Sequence, residues 1–184
     1  SESCPYFSVV LPIYNEEGNI EALHQRLSET FRSMDKSYEL IFVDDGSRDS
    51  SYEKLYQLHK TDPAVRVLKF SRNFGHHIAV TAGLDHTRGE VVVLMDSDLQ
   101  DQPEEIPALF AKMEEGYDVV YAIRKNKKFS FWKKATSKAF RWVMRNIMRY
   151  EISGGIFRLL RRPVVEEVRR CREIDRLVVG LISW

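Results

Sequence analysis

Apolar residues recur along this chain with two periods that take turns. Phe7–Ile13 is a short run rich in β-formers that stops at the polar cluster Tyr14-Asn15-Glu16-Glu17. Ile20, Leu23, Leu27, Phe31 and Met34 then fall on one helical face. Tyr38–Val43 reads as a second strand, cut off by Asp44-Asp45-Gly46-Ser47. Ser50 and Glu53 have the spacing of a capping box for a helix that turns Leu55 and Leu58 inward. Val65–Phe70 predicts a third strand, and Asn73-Phe74-Gly75 leads into a helix over His76–Asp85. Val91–Met95 is uninterruptedly apolar, as a strand covered on both faces should be, and it ends at Asp96-Ser97-Asp98. Pro103 opens the next helix, striped by Ile106, Leu109, Phe110 and Met113. Val119–Ile123 predicts a fifth strand that ends at Arg124.

Strands alternating with helices predict an α/β fold, with a mostly parallel, Rossmann-like sheet flanked by helices on both faces. In such sheets ligands sit at the carboxyl ends of the strands. Four predicted strand ends carry polar clusters: Tyr14-Asn15-Glu16, Asp44-Asp45, Asp96-Ser97-Asp98 and Arg124. A purely structural sheet has little reason to crowd acids there, so this edge is the expected site.

Composition narrows the class. The chain has 184 residues and is 43% hydrophobic, enough for one sizeable core in a single domain spanning 1–184, which excludes disorder and a disulfide-stapled miniprotein. Cys4 and Cys171 are far apart and form no CxxC, so they read as reduced thiols of a cytosol-facing protein. The sequence shows no signal-peptide pattern and no run of 18 apolar residues, which reads as soluble or peripheral. The net charge of +1 conceals two halves of opposite sign. Residues 1–123 carry 11 Lys and Arg against 22 Asp and Glu, while 124–184 carry 17 against 5. The basic half favours an anionic ligand or surface.

Asp96 and Asp98 carry the chemistry. On an extended strand end they point the same way with Ser97 opposite, about 6–7 Å apart at Cα, so both carboxylates can reach one cation. Gln100 offers an amide oxygen to the same ion, and this hard-oxygen set favours Mg²⁺ or Mn²⁺. There is no Gly-x-x-x-x-Gly-Lys loop and no strand leading into Gly-x-Gly-x-x-Gly, which argues against a P-loop or a dinucleotide site. A nucleoside diphosphate held through a metal-bridged pyrophosphate remains. Asp44 or Asp45 can accept from a base N–H, Tyr14 can stack on the base, and Arg124 can pair with phosphate oxygens. His76 and His77 follow Gly75 near a helix start, where they could line the donor pocket, but without partners at metal spacing they read first as exposed or packed. Met95 and Met113 read as core fillers.

From Arg124 to Arg149 there are ten Lys and Arg and no acid. The 131–150 segment has helical periodicity, with Trp132, Ala135, Ala139, Val143 and Ile147 on one stripe and Lys134, Lys138, Arg141, Arg145 and Arg149 on another. That pattern fits an interfacial helix on an anionic membrane surface, with its apolar stripe free to dock on the sheet. The acidic half and the absence of a nucleic-acid motif argue against nucleic acid as the partner.

Pro12-x-Tyr14-Asn15-Glu16, Val43-Asp44-Asp45-Gly46-Ser47, Arg72-Asn73-Phe74-Gly75 and Met95-Asp96-Ser97-Asp98-Leu99-Gln100 with Pro103-Glu104 resemble the motifs of family 2 glycosyltransferases. Gly116-Tyr117-Asp118-Val119-Val120-Tyr121, Ile123-Arg124-Lys125-Asn126 and Phe157-Arg158-Leu159 before Arg161-Arg162 extend the likeness to the polyprenyl-phosphate branch. That branch holds the dolichyl-phosphate mannose synthases and the bacterial undecaprenyl-phosphate glycosyltransferases. The resemblance implies a GT-A fold and an inverting, metal-dependent transfer from a nucleotide sugar to a polyprenyl phosphate at the cytosolic membrane face, and the bacterial branch favours a UDP-sugar over GDP-mannose while leaving the base open. It implies that Pro12, Tyr14, Glu16, Val43 and Asp45 contact the nucleoside, with Asn15 and Asp44 beside them. It also implies a metal–diphosphate site of Asp96, Ser97, Asp98 and Gln100, Arg124 on the donor phosphate, and Arg158 and Arg161 near the acceptor phosphate. Relatives in this branch usually continue past Trp184 into membrane helices. They also usually carry an Asp where this chain has Ser153, in a segment that is a few residues shorter here. A family 2 enzyme with another acceptor is the nearest rival, although the Gln-x-x-Arg-Trp of processive synthases does not occur. A catalytically silent nucleotide-sugar-binding module is the other.

Overall fold

A computed structural model describes residues 4–122 and 156–170. Arg124, the 131–150 segment, Ser153 and Cys171 lie outside the described residues, as does the end of the predicted fifth strand. Cys4 is an exposed free thiol.

The chain alternates β1 (Phe7–Ile13), α1 (Ile20–Ser33), β2 (Tyr38–Asp44), α2 (Ser51–Thr61), β3 (Val65–Lys69), α3 (His76–Asp85) and β4 (Val91–Leu94). A 3₁₀ turn at Pro103–Glu105 precedes α4 (Ile106–Glu114), and β5 (Val119–Tyr121), β6 (Arg158–Arg161) and α5 (Arg162–Arg170) follow. The six strands form one sheet in the order β3-β2-β1-β4-β6-β5. All described pairings are parallel except those of β6, which runs antiparallel to both β4 and β5. The fold is therefore the expected α/β sheet with one reversed strand.

Side-chain alternation along the strands sorts the core into two layers. Phe7, Val9, Leu11 and Ile13 of β1 join Leu40 and Phe42 of β2 against Leu23, Leu27 and Phe31 of α1, with Leu55, Ile106 and Met113 completing that side. Val10 of β1 and Val92 and Leu94 of β4 face the other way, onto Val80 and Leu84 of α3 and Val165 and Val168 of α5. Gly83 sets the approach of α3 to the sheet, since a Cβ there would lie 2.3 Å from Val10 Cγ1.

The edge at the amino ends of the strands is tied by a buried carboxylate. Glu39 accepts from Ser8 Oγ at 2.6 Å, from the Arg88 N–H at 2.8 Å and from Arg66 Nη1 at 2.9 Å. Burial works against its charge, but these donors outweigh that penalty and hold its pKa below the usual Glu value.

Two expectations change. The capping box is not made: Ser50 is the N-cap of α2, but its side chain forms no capping bond. Asp49 Oδ1 accepts from the Ser51 N–H and Glu17 Oε2 from the Ser50 N–H, because this loop is laced across to residues 15–17. The Phe-Arg-Leu motif, read only as a motif, leads into β6 and supplies its first two residues, Arg158 and Leu159.

Candidate active site

The chain runs β1 to β2 to β3 in one direction and then returns to place β4 on the far side of β1. The reversal opens a crevice beyond the carboxyl ends of β1 and β4, where parallel sheets bind ligands. A cleft of about 380 Å³ occupies it. Pro12, Ile13, Tyr14 and Glu16 line one wall, Asp96, Ser97 and Asp98 another, and Asp45, Asn73, Gly75, His76 and Ala79 the third.

The acidic turn departs from the expected extended geometry. The strand β4 ends at Leu94, and residues 96–98 lie in a turn. Asp101 Oδ2 accepts from the Asp96 N–H at 3.1 Å, and Asp98 Oδ1 accepts from the Gln100 N–H at 3.0 Å. Leu99 sits at φ 60°, a left-handed conformation that costs a non-glycine residue about 1–3 kcal/mol. Ser97 donates from Oγ to the Pro12 carbonyl at 2.9 Å, which pins the turn to β1. Asp96 and Asp98 both line the cleft in this arrangement. Gln100 is exposed and is not part of the lining.

Opposite, the loop before α3 is held by Asp45. Its two oxygens accept from the Phe74 N–H at 2.7 Å and the Gly75 N–H at 3.0 Å, and the residue is 3% exposed. Gly46, at φ 69°, is where the loops meet, and a Cβ there would lie 2.4 Å from the Arg72 carbonyl carbon. This carries His76 onto the cleft wall, with Nε2 at 3.7 Å from Asp96 Oδ1. His76 is exposed, as expected, and it also stands on the cleft wall, the place its position near the helix start allowed. Asp101 was not foreseen at all, although its spacing from Asp96 fits closure of the turn.

The structure does not bring every expected residue to the cleft. Val43 is fully buried, packed with Ile41 against Ala79 of α3. Asp44 is also fully buried, and its Oδ1 accepts from the Ser47 N–H at 3.1 Å. Asp44 Oδ2 is buried without a hydrogen-bond partner among the described residues. Both are the last residues of β2, and strand side chains point to the faces of the sheet rather than off its end. Asn15, at φ 55°, accepts from the Arg48 N–H at 2.8 Å and donates its own N–H to Ser47 Oγ at 3.0 Å, so it laces loops together outside the lining. Glu16 keeps its place on the wall while its Oε2 accepts from Asn19 at 2.6 Å.

The two arginines of β6 part company. Arg158 pairs in register with Leu94 and Tyr121 at the carboxyl edge, buried, its guanidinium 5.0 Å from the Tyr121 ring centroid. Arg161 pairs with Val91, at the opposite edge of the sheet. There its guanidinium donates to the carbonyls of Met113 at 3.0 Å and Tyr117 at 3.3 Å. Because β6 is antiparallel, Arg161 points away from any phosphate bound in the cleft, and it clamps the end of α4.

A divalent cation fits this donor set. Among the described residues no cluster of three or more His, Cys, Asp or Glu could hold an ion alone. Two carboxylates facing an open cleft are instead the usual protein share of a Mg²⁺ or Mn²⁺ site completed by substrate phosphates and water.

Comparison with known proteins agrees with this geometry. Residues 8–168 match the family described as Glycosyl transferase family 2. The chain belongs to glycosyl transferase family 2. It is 45% identical over 181 residues to the uncharacterized glycosyltransferase YkcC of Bacillus subtilis (strain 168), covering 97% of this chain and 56% of that protein. It is 36% identical over 169 residues to the undecaprenyl-phosphate 4-deoxy-4-formamido-L-arabinose transferase of Salmonella choleraesuis (strain SC-B67), covering 90% of this chain and 52% of that one. This kinship is consistent with the polyprenyl-phosphate branch. The chain spans about half the length of the curated relatives it matches.

Among solved structures, glucosyl-3-phosphoglycerate synthase from Mycobacterium tuberculosis, in complex with Mn²⁺, UDP and glucosyl-3-phosphoglycerate, aligns with a TM-score of 0.62 at 22% identity, covering 96% of this chain and 68% of that one. The mannosyltransferase PcManGT from Pyrobaculum calidifontis, in complex with GDP-Man and Mn²⁺, aligns with a TM-score of 0.63 at 21% identity, covering 91% and 47%. The likeness is one of fold, which is of the GT-A type.

Proposed function

We propose that this chain is the catalytic domain of an inverting, metal-dependent glycosyltransferase that moves a sugar from a nucleotide donor, a UDP-sugar by preference, to a polyprenyl phosphate at the cytosolic face of a membrane. The observation that carries this reading is the convergence of Asp96 and Asp98 with Tyr14, Glu16 and Asp45 in one cleft at the sheet's switch point. Kinship to a transferase named for undecaprenyl phosphate supports the acceptor, and fold neighbours solved with nucleotides and Mn²⁺ support the donor and the ion.

Tyr14, exposed at the mouth, offers its ring to the base, and Asp45 forms the wall beside it. Asp96 and Asp98 would hold a divalent cation, which supplies neutralisation of the charge that develops on the departing diphosphate. As the bond from the sugar's anomeric carbon to that diphosphate breaks, its electron pair leaves with the nucleoside diphosphate. An oxygen of the acceptor phosphate attacks the same carbon from the opposite face. A phosphate monoester has a second pKa near ~6, so the acceptor is largely dianionic at neutral pH and needs positioning more than deprotonation. Ser153 in place of an acid is compatible with that chemistry. Arg124 is assigned to the donor phosphate, Arg158 to the vicinity of the acceptor phosphate, and the basic 131–150 segment to an anionic bilayer.

The test is a panel of sugar nucleotides incubated with undecaprenyl and dolichyl phosphates and Mg²⁺ or Mn²⁺. Lipid-linked product from a UDP-sugar is expected. Donor hydrolysis alone, with no lipid product from any pair, contradicts the acceptor assignment.

A further inference from the structure

Leu94, Arg158 and Tyr121 stand in register across β4, β6 and β5 at the carboxyl edge of the sheet. They also share one of its faces. Leu94, Leu160 and Val119 belong to the layer packed on α3 and α5, and side chains two residues apart on a strand point the same way, which puts Arg158 with Leu160 and Tyr121 with Val119. Neighbouring strands are about 4.8 Å apart, so Arg158 is one strand and Tyr121 two strands from the end of β4, where the turn with Asp96 and Asp98 follows. An in-line transfer needs such an offset. The attacking phosphate oxygen must come within about 3–3.5 Å of the anomeric carbon, on the side away from the metal-bound diphosphate.

Arg158 is 1% exposed, so its neighbours set its direction, and its charge is little screened where it reaches the edge. Its Nε donates to the Ile156 carbonyl at 3.0 Å. Its guanidinium carbon lies 5.0 Å from the Tyr121 ring centroid, within cation–π range. Tyr121 is 37% exposed and, among the described residues, belongs to none of the buried clusters. The Ala122 N–H donates to the Phe157 carbonyl at 3.0 Å, which fastens the end of β5 beside the start of β6. A buried cation thus has an exposed ring on its flank, and the backbone fixes the two together.

We infer that Tyr121 is a positioning residue for the acceptor: its ring face holds the Arg158 guanidinium in the direction from which that charge draws the acceptor phosphate toward the sugar. The inference rests on the acceptor class and on the place given to Arg158 above, and adds the residue that orients the cation.

The experiment titrates the full chain, loaded with UDP and Mn²⁺, with geranyl phosphate and with geraniol, which share a tail and differ in the head. Wild type is expected to bind geranyl phosphate at least about tenfold more tightly than geraniol. Y121L removes the ring face and should lower geranyl phosphate affinity about fivefold, with geraniol and UDP affinities unchanged. Y121F keeps the face and should bind as wild type does. In an R158Q background Y121L should add less than about a twofold loss, since the cation it orients is gone. Geranyl phosphate affinity that survives Y121L overturns the inference, and so does a gain, which would make the ring a cover over Arg158. A loss shared by Y121F overturns it by giving the effect to the phenol hydroxyl. A loss shared by UDP or geraniol overturns it by making Tyr121 part of the scaffold. Wild type indifferent to the head overturns the acceptor phosphate and the inference together, whereas a wild-type preference that Y121L leaves intact overturns the inference alone.

Discussion

Ser97 and Pro12, 85 positions apart in the chain, are joined by a hydrogen bond of 2.9 Å from the serine hydroxyl to the proline carbonyl, buried between the ends of β4 and β1. The bond crosses the crevice floor at the point where the strand order reverses. It fixes the turn that carries Asp96 and Asp98 relative to the wall that carries Tyr14.

Removing it should cost both stability and binding. S97A leaves the Pro12 carbonyl buried without its partner, which costs about 1–3 kcal/mol. Urea denaturation should show the loss, and Mn²⁺-dependent UDP affinity should fall with it. S97A of unchanged stability and affinity would mean that the turn is held by other contacts.

Asp45 is expected to act on the site through the loop it holds. D45A strands two backbone N–H groups, at a cost of roughly 2–3 kcal/mol. D45N retains one acceptor and should lose less. Because His76 and Asn73 ride on that loop, both variants should weaken nucleotide binding in the same order as they lose stability, as paired denaturation and calorimetry would show.

The pH dependence of stability follows from three carboxylates held below their ordinary values, one of them Glu104, which the Arg26 guanidinium holds down. Glu39 is another. In Asp49, burial is outweighed by the Ser51 hydroxyl and N–H and by the Glu17 N–H. Groups with depressed native pKa values contribute their full stabilisation above the unfolded value and lose it as pH falls through the native one. Wild type should therefore weaken steadily below about pH 4.5, the ordinary Glu value, with E39Q already destabilised by about 3 kcal/mol at neutral pH and sloping less steeply in acid. Parallel curves for the two proteins would remove Glu39 from the account.

The long elements were legible because burial on both sides writes its period plainly. Strand β1 matches its expected bounds, and the Ile20-Leu23-Leu27-Phe31 stripe of α1 is buried throughout. Strand β6 was not legible as a strand: it has four residues with arginine at both ends, too short and too charged for a periodic signal. That omission also misplaced Arg161, since only the reversed direction of β6 sends it to the far edge. The acids of the cleft were legible from their position just past strand ends, but the residue pattern alone left Asp44 and Asp45 open, and only the family resemblance singled out Asp45. Asp45 is the first residue beyond β2 and enters the lining, whereas Asp44 is still within the strand and is buried. For His76 the sequence offered a place on the pocket wall beside an exposed or packed reading, and the loop held by Asp45, 31 positions earlier, is what puts it on that wall.

The most direct test of the metal-bridged donor site is calorimetric titration of UDP in the presence of Mn²⁺ into wild type and D98N. Asparagine keeps an oxygen for the Gln100 N–H, so the turn is preserved and the charge alone is removed. Wild type should bind UDP in a Mn²⁺-dependent manner, and D98N should bind at least about a hundredfold more weakly. Equal affinities, or wild-type binding indifferent to Mn²⁺, would contradict the assignment of Asp96 and Asp98.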